Sequence, residues 1–387
     1  MRILHVLSSD DQYGSALCFL ELLQCELKYK NIVPVVVTPK YNRINQRCNE
    51  LKVKNYVVDY GQLQIPKHDS FFIFILKYIY HSGLYYLKNN NASKKILKII
   101  EKEKIDIIHT NSSVVDIGAI VAKKANLINI WHLRELGKLD FNFCSVRYNY
   151  IKRMNEKNNK FIAISKIVKQ TWNERGIDSS KIRIIYDGVD ANQFTPKNNV
   201  TNKDKVKIVM CGSFCEAKGQ KILVEAVNKL KSYEKEKLVI DFYGKTEGKY
   251  YRELKKLIHN YNLNNIFSFK GYVNNVPSIL NQYELGVLCS RSEAFGRVTV
   301  EYMMSGLCTI APASGANLEL IPDECGILYK AESSNELSQV LASIINGRVD
   351  YYKIGNLASN TALDNYDINK NANKIIAYFL TLNDKKY

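Results

Sequence analysis

Short apolar runs bounded by polar or glycine-containing segments alternate along the chain with longer stretches whose apolar residues recur every three or four positions. That alternation is the pattern of a parallel sheet covered by helices. In the first half, Ile3 to Leu7, Val35 to Thr38, Tyr56 to Val58, Ile105 to His109, Ile128 to Trp131 and Phe161 to Ser165 predict strands. Leu17 to Lys28, Ile96 to Lys102 and Asp116 to Lys124 predict helices between them. A second series of strands is predicted at Val206 to Cys211, Leu238 to Tyr243, Ile266 to Lys270, Leu285 to Cys289, Thr309 to Pro312 and Gly326 to Tyr329. Residues 196–205 are polar, rich in Asn and without periodicity, which marks a linker. The pattern therefore predicts two open α/β domains. The first spans 1–195 and is completed by a C-terminal helix within 366–387; the second spans 206–365.

Ser70 to Leu87 is the most apolar segment, yet Lys77, His81, Ser82 and Gly83 interrupt it, short of the ~20 apolar residues a membrane span needs. Two readings stay open: a buried helix of the first domain, or a helix lying at a bilayer interface, flanked by Lys67, Lys88, Lys94, Lys95 and Lys98. At 46% hydrophobic and 24% charged over 387 residues, with 7 Pro, the chain is globular and neither disordered nor collagen-like. Nine cysteines, an odd number set mostly in apolar runs without zinc-ligand spacing, read as reduced buried thiols. The apolar run at the N-terminus is too short for a signal peptide, so a cytoplasmic protein is expected. The net charge of +17 is uneven: residues 1–200 carry 31 Lys and Arg against 18 Asp and Glu, and the remainder 24 against 20. The excess is threaded between aromatics, with no zinc-finger spacing or aromatic RNA-binding signature, so nucleic acid is not an expected partner. An anionic membrane surface or a phosphate-bearing acceptor suits that mixture better.

Candidate chemistry gathers at strand ends. Gly14 follows the first strand, where backbone close to a phosphate requires glycine, although a turn or helix-entry role fits it equally. No G-x-G-x-x-G follows that strand and no G-x-x-x-x-G-K-[ST] occurs, which removes the common dinucleotide and ATPase motifs. After the first strand of the second domain, Gly212 to Gly219 forms a loop whose Lys218 is placed to meet a diphosphate. Ser290 to Gly306 runs from a strand through a glycine-containing loop into a helix, and free N–H groups near Gly296, Arg297 and Val298 suit phosphate oxygens. Glu293 and Glu301 bracket that helix start, and ionised carboxylates accept from sugar hydroxyls.

The E-x7-E block from Glu293 to Glu301, with Phe295 and Gly296, resembles that of retaining glycosyltransferases of family 4 (glycosyl transferases group 1). The resemblance extends through Tyr13 to Ser15, Ile107 to Ser112, Trp131 to Glu135, Ile162 to Ser165, Ile185 to Asp190 with Phe194, Gly212 to Gly219, and Gly271 to Val273. It implies the GT-B fold: two Rossmann-like open parallel-sheet domains facing each other across a cleft, the first for acceptor and the second for nucleotide sugar. It implies a hexosyltransferase-like enzyme that moves a sugar with retention from a UDP- or GDP-linked donor. Carried over by position, Glu293, Ala294, Phe295, Gly296, Arg297 and Val298 resemble the donor-sugar and phosphate contacts, and Glu301 the ribose contact. Lys218 resembles the diphosphate clamp beside Gly212 and Ser213, while Gly271, Tyr272 and Val273 resemble the segment next to the nucleobase. Gly14 resembles the opposing phosphate loop. His132 resembles the active-site histidine that reaches the donor sugar, so His132, Glu293 and Lys218 are the expected catalytic set.

Two departures from the family stand out. Ser213 replaces a basic residue, which weakens the clamp, and Asp187 replaces an asparagine before Gly188, which is expected to affect only a turn. No D-x-D motif occurs in the second domain, so no metal and no cofactor beyond the donor substrate are expected. The expected acceptor is a growing surface glycan such as capsule or O-antigen, on a lipid carrier, with the enzyme peripheral on the inner face of the cell membrane. A same-fold transferase with a soluble acceptor and a catalytically silent nucleotide-sugar-binding protein remain as alternatives.

Overall fold

The structure is a computed structural model that describes every residue except 9–13, 67–70, 138–142, 148, 195–203 and 385–387. The linker read at 196–205 thus lies outside the described residues apart from Asp204 and Lys205, as does Tyr13 of the first motif. The chain forms two compact units, one of Met1–Gly188 with Ile368–Tyr387, the other of Val189–Asp367.

In the first unit, β1 (Arg2–Val6), β2 (Val33–Thr38), β3 (Lys54–Val57), β5 (Ile107–Thr110), β6 (Ile128–Leu133), β8 (Asn159–Ala163) and β9 (Ile182–Ile184) form one parallel sheet. Its order is β3-β2-β1-β5-β6-β8-β9. Two strands absent from the sequence reading, β4 (Gln64–Pro66) and β7 (Phe143–Ser145), pair antiparallel beside it. The short β9 was also missed, because three residues give too little apolar run to stand out. Helix α1 (Gly14–Glu26) buries Phe19, Leu22 and Leu23, and helix Ile368–Asp384 joins them on Ala372, Ile375, Ile376 and Phe379.

Three further helices complete this unit's relevant parts: α2 (Arg43–Glu50), α3 (Phe71–Glu103) and α4 (Ile117–Lys124). The C-terminal half of α3 belongs to the core through Ala92, Ile96, Ile99 and Ile100. Its N-terminal half does not. Phe72, Leu76 and Ile79 are 78%, 70% and 63% exposed, and Ile73, Ile75, Tyr80, Tyr86 and Leu87 are also exposed. The reading of Ser70 to Leu87 as a buried helix is therefore overturned over the described residues of that segment. Its apolar residues run round the whole helix, and the unit covers only one side, chiefly at Tyr85. No helix among the described residues is long and apolar enough to cross a membrane.

In the second unit, β10 (Val206–Cys211), β11 (Leu238–Tyr243), β12 (Phe267–Gly271), β13 (Leu285–Val287), β14 (Cys308–Pro312) and β15 (Ile327–Tyr329) form a parallel sheet ordered β12-β11-β10-β13-β14-β15. Each sheet is wound outward from its first strand and then returns to that strand's other side. The order therefore reverses between β1 and β5, and again between β10 and β13. Helix Arg297–Met304 is seated by Tyr302, a fully buried ring whose hydroxyl accepts from Cys211 N at 2.7 Å. The ring fits because position 286 on β13 has no side chain: a Cβ there would lie 2.3 Å from Tyr302 Cδ2. Gly286→Ala should therefore destabilise the protein by about 1–3 kcal/mol through overpacking. A urea midpoint equal to that of the wild type would refute this reading of the contact.

Candidate functional site

The order reversal of the second sheet places the loops after β10 and β13 next to each other at the carboxyl edge, where open α/β sheets leave a crevice. The first loop, Gly212 to Gly219, is pinned by Phe214, whose ring packs against Phe242, Tyr251 and Phe269 at 6.2, 5.6 and 5.6 Å. Gln220 Nε2 donates to Ser213 O at 2.9 Å, and Gly219 turns the chain with φ +66° against Cys289 O. A Cβ at 219 would lie 2.4 Å from that oxygen, so the close approach of the two loops depends on glycine. The second loop is tied to the first by Arg291 N donating to Ala217 O at 3.1 Å.

The two loops bring Lys218 and Glu293 together: Nζ lies 2.5 Å from Oε1, with the side chains 34% and 16% exposed. Glu293 is held by its backbone, since Ala316 N donates to Glu293 O at 2.9 Å and Gly315 packs on its N and O. Gly296, with φ +81°, opens helix Arg297–Met304, whose first N–H groups have no partner within the helix. Arg297 turns back along that helix and its Nε donates to Glu301 Oε1 at 3.0 Å, so both charges are paired. Phe295 is buried while Ala294, Arg297 and Val298 are half-buried. Gly212 directly follows β10 and Gly271 ends β12, and Ser213 and Tyr272 beside them are exposed. The second unit thus gathers Lys218, Glu293, Arg297 and Glu301 into two ion pairs beside a helix N-terminus; Val273 lies half-buried on the loop after β12.

Two of the expected residues belong to the first unit. Gly14 is the first residue of α1, and the space where its Cβ would stand is open. His132 lies near the end of β6, fully buried, with polar groups beside both ring nitrogens. Its Nδ1 lies 3.1 Å from His109 Nε2 and 3.4 Å from Arg134 Nη2, and its Nε2 lies 3.9 Å from Asp187 Oδ1. Arg134 donates to Asp187 and, through Nε, to Asn111 Oδ1 at 2.9 Å.

Asp187 therefore does more than shape a turn, which corrects the sequence expectation. Its carboxylate is buried and neutralises a buried guanidinium, a task that an asparagine could not perform. Glu135 braces the same region by accepting from Ser112 Oγ, Ser113 N and Ser113 Oγ at 2.5, 3.0 and 2.7 Å. Arg134 lay within a recognised motif and yet had no role in the sequence reading, because its partner is 53 residues away.

Burial pushes the His109 imidazolium pKa well below its ordinary value, with His5 and Arg134 adding to the effect. Burial does the same to His132, with Arg134 and His109 contributing. Both rings are therefore neutral in the folded protein and protonate only in the unfolded chain once pH falls below about 6.5. The unfolded state then binds more protons, so stability decreases as the solution is acidified from there toward the folded values. With two such groups the slope approaches roughly 2.7 kcal/mol per pH unit. Urea unfolding of the wild type and of His109→Gln between neutral and mildly acidic pH should show the variant losing about half of that slope. Parallel profiles would contradict it.

Residues 192–361 match the family described as Glycosyl transferases group 1, and residues 50–193 match Glycosyltransferase Family 4. An uncharacterized glycosyltransferase of Methanocaldococcus jannaschii is 29% identical over 274 residues, 68% of this chain and 72% of that protein. The Escherichia coli UDP-Gal:alpha-D-GlcNAc-diphosphoundecaprenol alpha-1,3-galactosyltransferase is 25% identical over 317 residues, 75% of this chain and 79% of that protein. Among solved structures, Anabaena HepE in complex with UDP aligns with a TM-score of 0.80 at 19% identity, covering 98% of this chain and 100% of that one. A glycosyltransferase from Rickettsia africae aligns at 0.77 with 20% identity and 98% coverage of both chains. The two family matches meet at the junction of the two units and together run from 50 to 361, over parallel sheets of the same fold as these structures. The chain belongs to the group 1 glycosyltransferases of the GT-B fold and is a transferase enzyme.

Proposed function

We propose that this glycosyltransferase moves a sugar, with retention at the anomeric carbon, from a UDP-sugar to a growing surface glycan carried on a membrane lipid. The observation that carries the donor side is the Lys218–Glu293 pair at the strand-order reversal, beside a helix N-terminus. A diphosphate entering there competes with Glu293 for Lys218. Once released, Glu293 accepts from hydroxyls of the donor sugar, so the pair holds both groups in place until the donor replaces each partner. Arg297 keeps Glu301 oriented to accept from the ribose hydroxyls, and the exposed Tyr272 ring beside Gly271 offers a face to the base. The N-terminal end of helix Arg297–Met304, through its dipole, and Lys218 meet the charge that grows on the departing diphosphate. In this reading no metal is needed for that task. The first unit contributes His132, whose Nε2 serves a sugar oxygen. The choice of UDP follows HepE in complex with UDP and the galactosyltransferase named for UDP-Gal; the lipid-linked acceptor follows the latter's diphosphoundecaprenol.

Membrane attachment has its own support. The N-terminal half of α3 exposes Phe72, Ile73, Ile75, Leu76, Ile79 and Tyr80 in succession, far more than scattered surface apolar residues, with Lys77 and the further lysines of α3 interleaved. An apolar helix end in a basic unit suits insertion between the headgroups of an anionic cytoplasmic leaflet.

A thermal-shift screen of nucleotide sugars tests the donor: binding to the folded state alone raises the midpoint, so UDP-sugars should stand out. Turnover with the selected donor should persist in EDTA, and complete loss restored by manganese would defeat the metal-free clamp. Lys218→Ala should lower kcat more than donor affinity, since the leaving-group charge is greatest in the transition state. Ser213→Arg should be tolerated and should partly rescue it. A kcat within about twofold of wild type in Lys218→Ala, ~0.4 kcal/mol, would remove Lys218 from the clamp. The double variant Leu76→Glu with Ile79→Glu should lose at least about tenfold in affinity for phosphatidylglycerol vesicles at an unchanged unfolding midpoint, each added charge opposing insertion. Equal vesicle binding by both proteins would refute insertion at α3.

A further inference from the structure

The first unit has a cavity of about 440 Å³ on one face of its sheet, a size that holds a small ligand. Trp131 of β6, Leu63 and Met154 give it an apolar floor, and α4 and helix Tyr150–Met154 line its sides. A second hollow of about 530 Å³ shares Ile120, Lys124, Arg147 and Arg153 with it and extends to Tyr86, Asn90 and Ser93 on α3. Successive side chains of a strand point to opposite faces, so Trp131 sets this cavity on the face of the sheet away from His132. His132 instead meets His109, whose ring packs against Phe379 of helix Ile368–Asp384. A ligand in the cavity therefore has no contact with His132.

The lining is cationic: Lys123, Lys124, Arg147 and Arg153 stand against Asp116 and Glu156. Glu156 pairs with Lys123 at 2.8 Å, and Asp116 pairs with Arg147 at 2.8 Å while also accepting from Tyr85 Oη at 2.5 Å. Among the described residues, Lys124 Nζ meets only the neutral Ser93 hydroxyl, at 2.9 Å, and the Arg153 guanidinium meets no acceptor. Lys124 and Arg153 are thus cations without a counter-charge beside an apolar floor, which suits a ligand with phosphate at one end and hydrocarbon at the other. Helix α3 supplies the place for the hydrocarbon. Phe72, Ile75, Ile79, Tyr86, Asn90 and Ser93 follow one another at intervals of three, four or seven residues, which puts them on one face of the helix. That stripe is exposed and apolar at Phe72, Ile75, Ile79 and Tyr86, and it turns polar where Ser93 meets Lys124. From Phe72 to Tyr86 it rises ~21 Å, more than the ~15 Å of hydrocarbon in one leaflet, so an acyl chain fits along it while its headgroup reaches Lys124 and Arg153.

We infer that this cavity binds the headgroup of one anionic glycerophospholipid, with Lys124 and Arg153 on its phosphate and its acyl chains along the α3 stripe. The inference rests on the reading of α3 as a membrane element for its cellular meaning and goes beyond it: one lipid becomes a specific ligand of the first unit, in addition to the insertion of an apolar helix. The diphosphate of a carrier lipid has similar chemistry, but as a substrate it has to bring its glycan to the transfer site, and the cavity lies on the face of the sheet away from His132.

The experiment titrates the full-length protein by calorimetry with dihexanoyl-phosphatidylglycerol below its micelle concentration, so that no membrane is present and insertion of α3 is not required. The wild type should bind a single lipid saturably, and inorganic phosphate at least about tenfold more weakly because it leaves the apolar floor uncovered. Lys124→Gln with Arg153→Gln should lose at least about tenfold in affinity for the lipid. Lys94→Gln with Lys98→Gln removes the same charge from exposed positions of α3 outside the cavity and should stay within about twofold of wild type. Ala119→Phe, or Ala119→Met where the larger ring disturbs the fold, fills the cavity from α4 with every charge kept and should also lose about tenfold. Equal losses in the two double variants overturn the inference in favour of diffuse surface charge, and wild-type affinity in a folded Ala119→Phe overturns the cavity as the site. Inorganic phosphate binding as tightly as the lipid overturns the lipid, and farnesyl diphosphate binding more than about tenfold tighter than the lipid gives the site to a carrier lipid instead. Vesicle binding unaffected by Leu76→Glu with Ile79→Glu refutes insertion at α3 but not the headgroup site, so the two readings fail separately.

Discussion

A parallel sheet that grows outward from its first strand and then returns to that strand's other side sends the two flanking loops in opposite directions. The carboxyl edge at that reversal is where open α/β sheets leave a crevice, and most of the chemistry described here lies along it. In the second unit the reversal sets the loop after β10 beside the loop after β13, so that residues 75 apart, Lys218 and Glu293, form an ion pair. The loops can approach so closely because glycine stands at 219 and 315, where a Cβ would meet Cys289 O at 2.4 Å and Glu293 N and O at 2.6 Å. Helix Arg297–Met304 then starts beside the pair because Tyr302 anchors it into β10 and β13.

In the first unit the same reversal has a different consequence. It makes β1 and β5 neighbours in a register that puts His5 directly opposite His109, and β6 follows with His132. The interior of this sheet is thus polar along one line, and low dielectric raises the stakes on every bond in it. Glu26 stands 3.0 Å from His5 at one end, and the Arg134–Asp187 pair near the other places two opposite charges together in the buried interior. The rings of His109 and His132 are neutral, which is compatible with burial where a cation would not be. Polar groups of this kind add little net stability over apolar packing.

The protein also leaves one element without cover. The second half of α3 is clamped into the first core by Ala92, Ile96, Ile99 and Ile100, while the first half carries apolar residues on all sides into open space. A soluble core cannot bury a helix on every face from one side, and the part that remains exposed is the part that a lipid surface can accept.

Apolar periodicity by itself determined the two α/β units, most of the strands of both sheets and the positions of the loops that carry Lys218, Glu293 and Glu301, because these depend on local pattern and on spacing within a few residues. The E-x7-E block was legible for the same reason. Other features were not. Whether Ser70 to Leu87 faces a core or open space depends on what the fold puts against it, and β4, β7 and β9 are too short to carry a period. Glu26 did leave a trace, since it falls on the stripe of Phe19, Leu22 and Leu23, yet nothing local says that His5 waits for it. The pairing of His5 with His109, 104 residues apart, and of Arg134 with Asp187 is decided by strand order and register, which tertiary packing alone selects. Hydrogen bonds and ion pairs act over a few ångströms, so the partners of a buried polar residue exist only once the sheet has brought distant strands together.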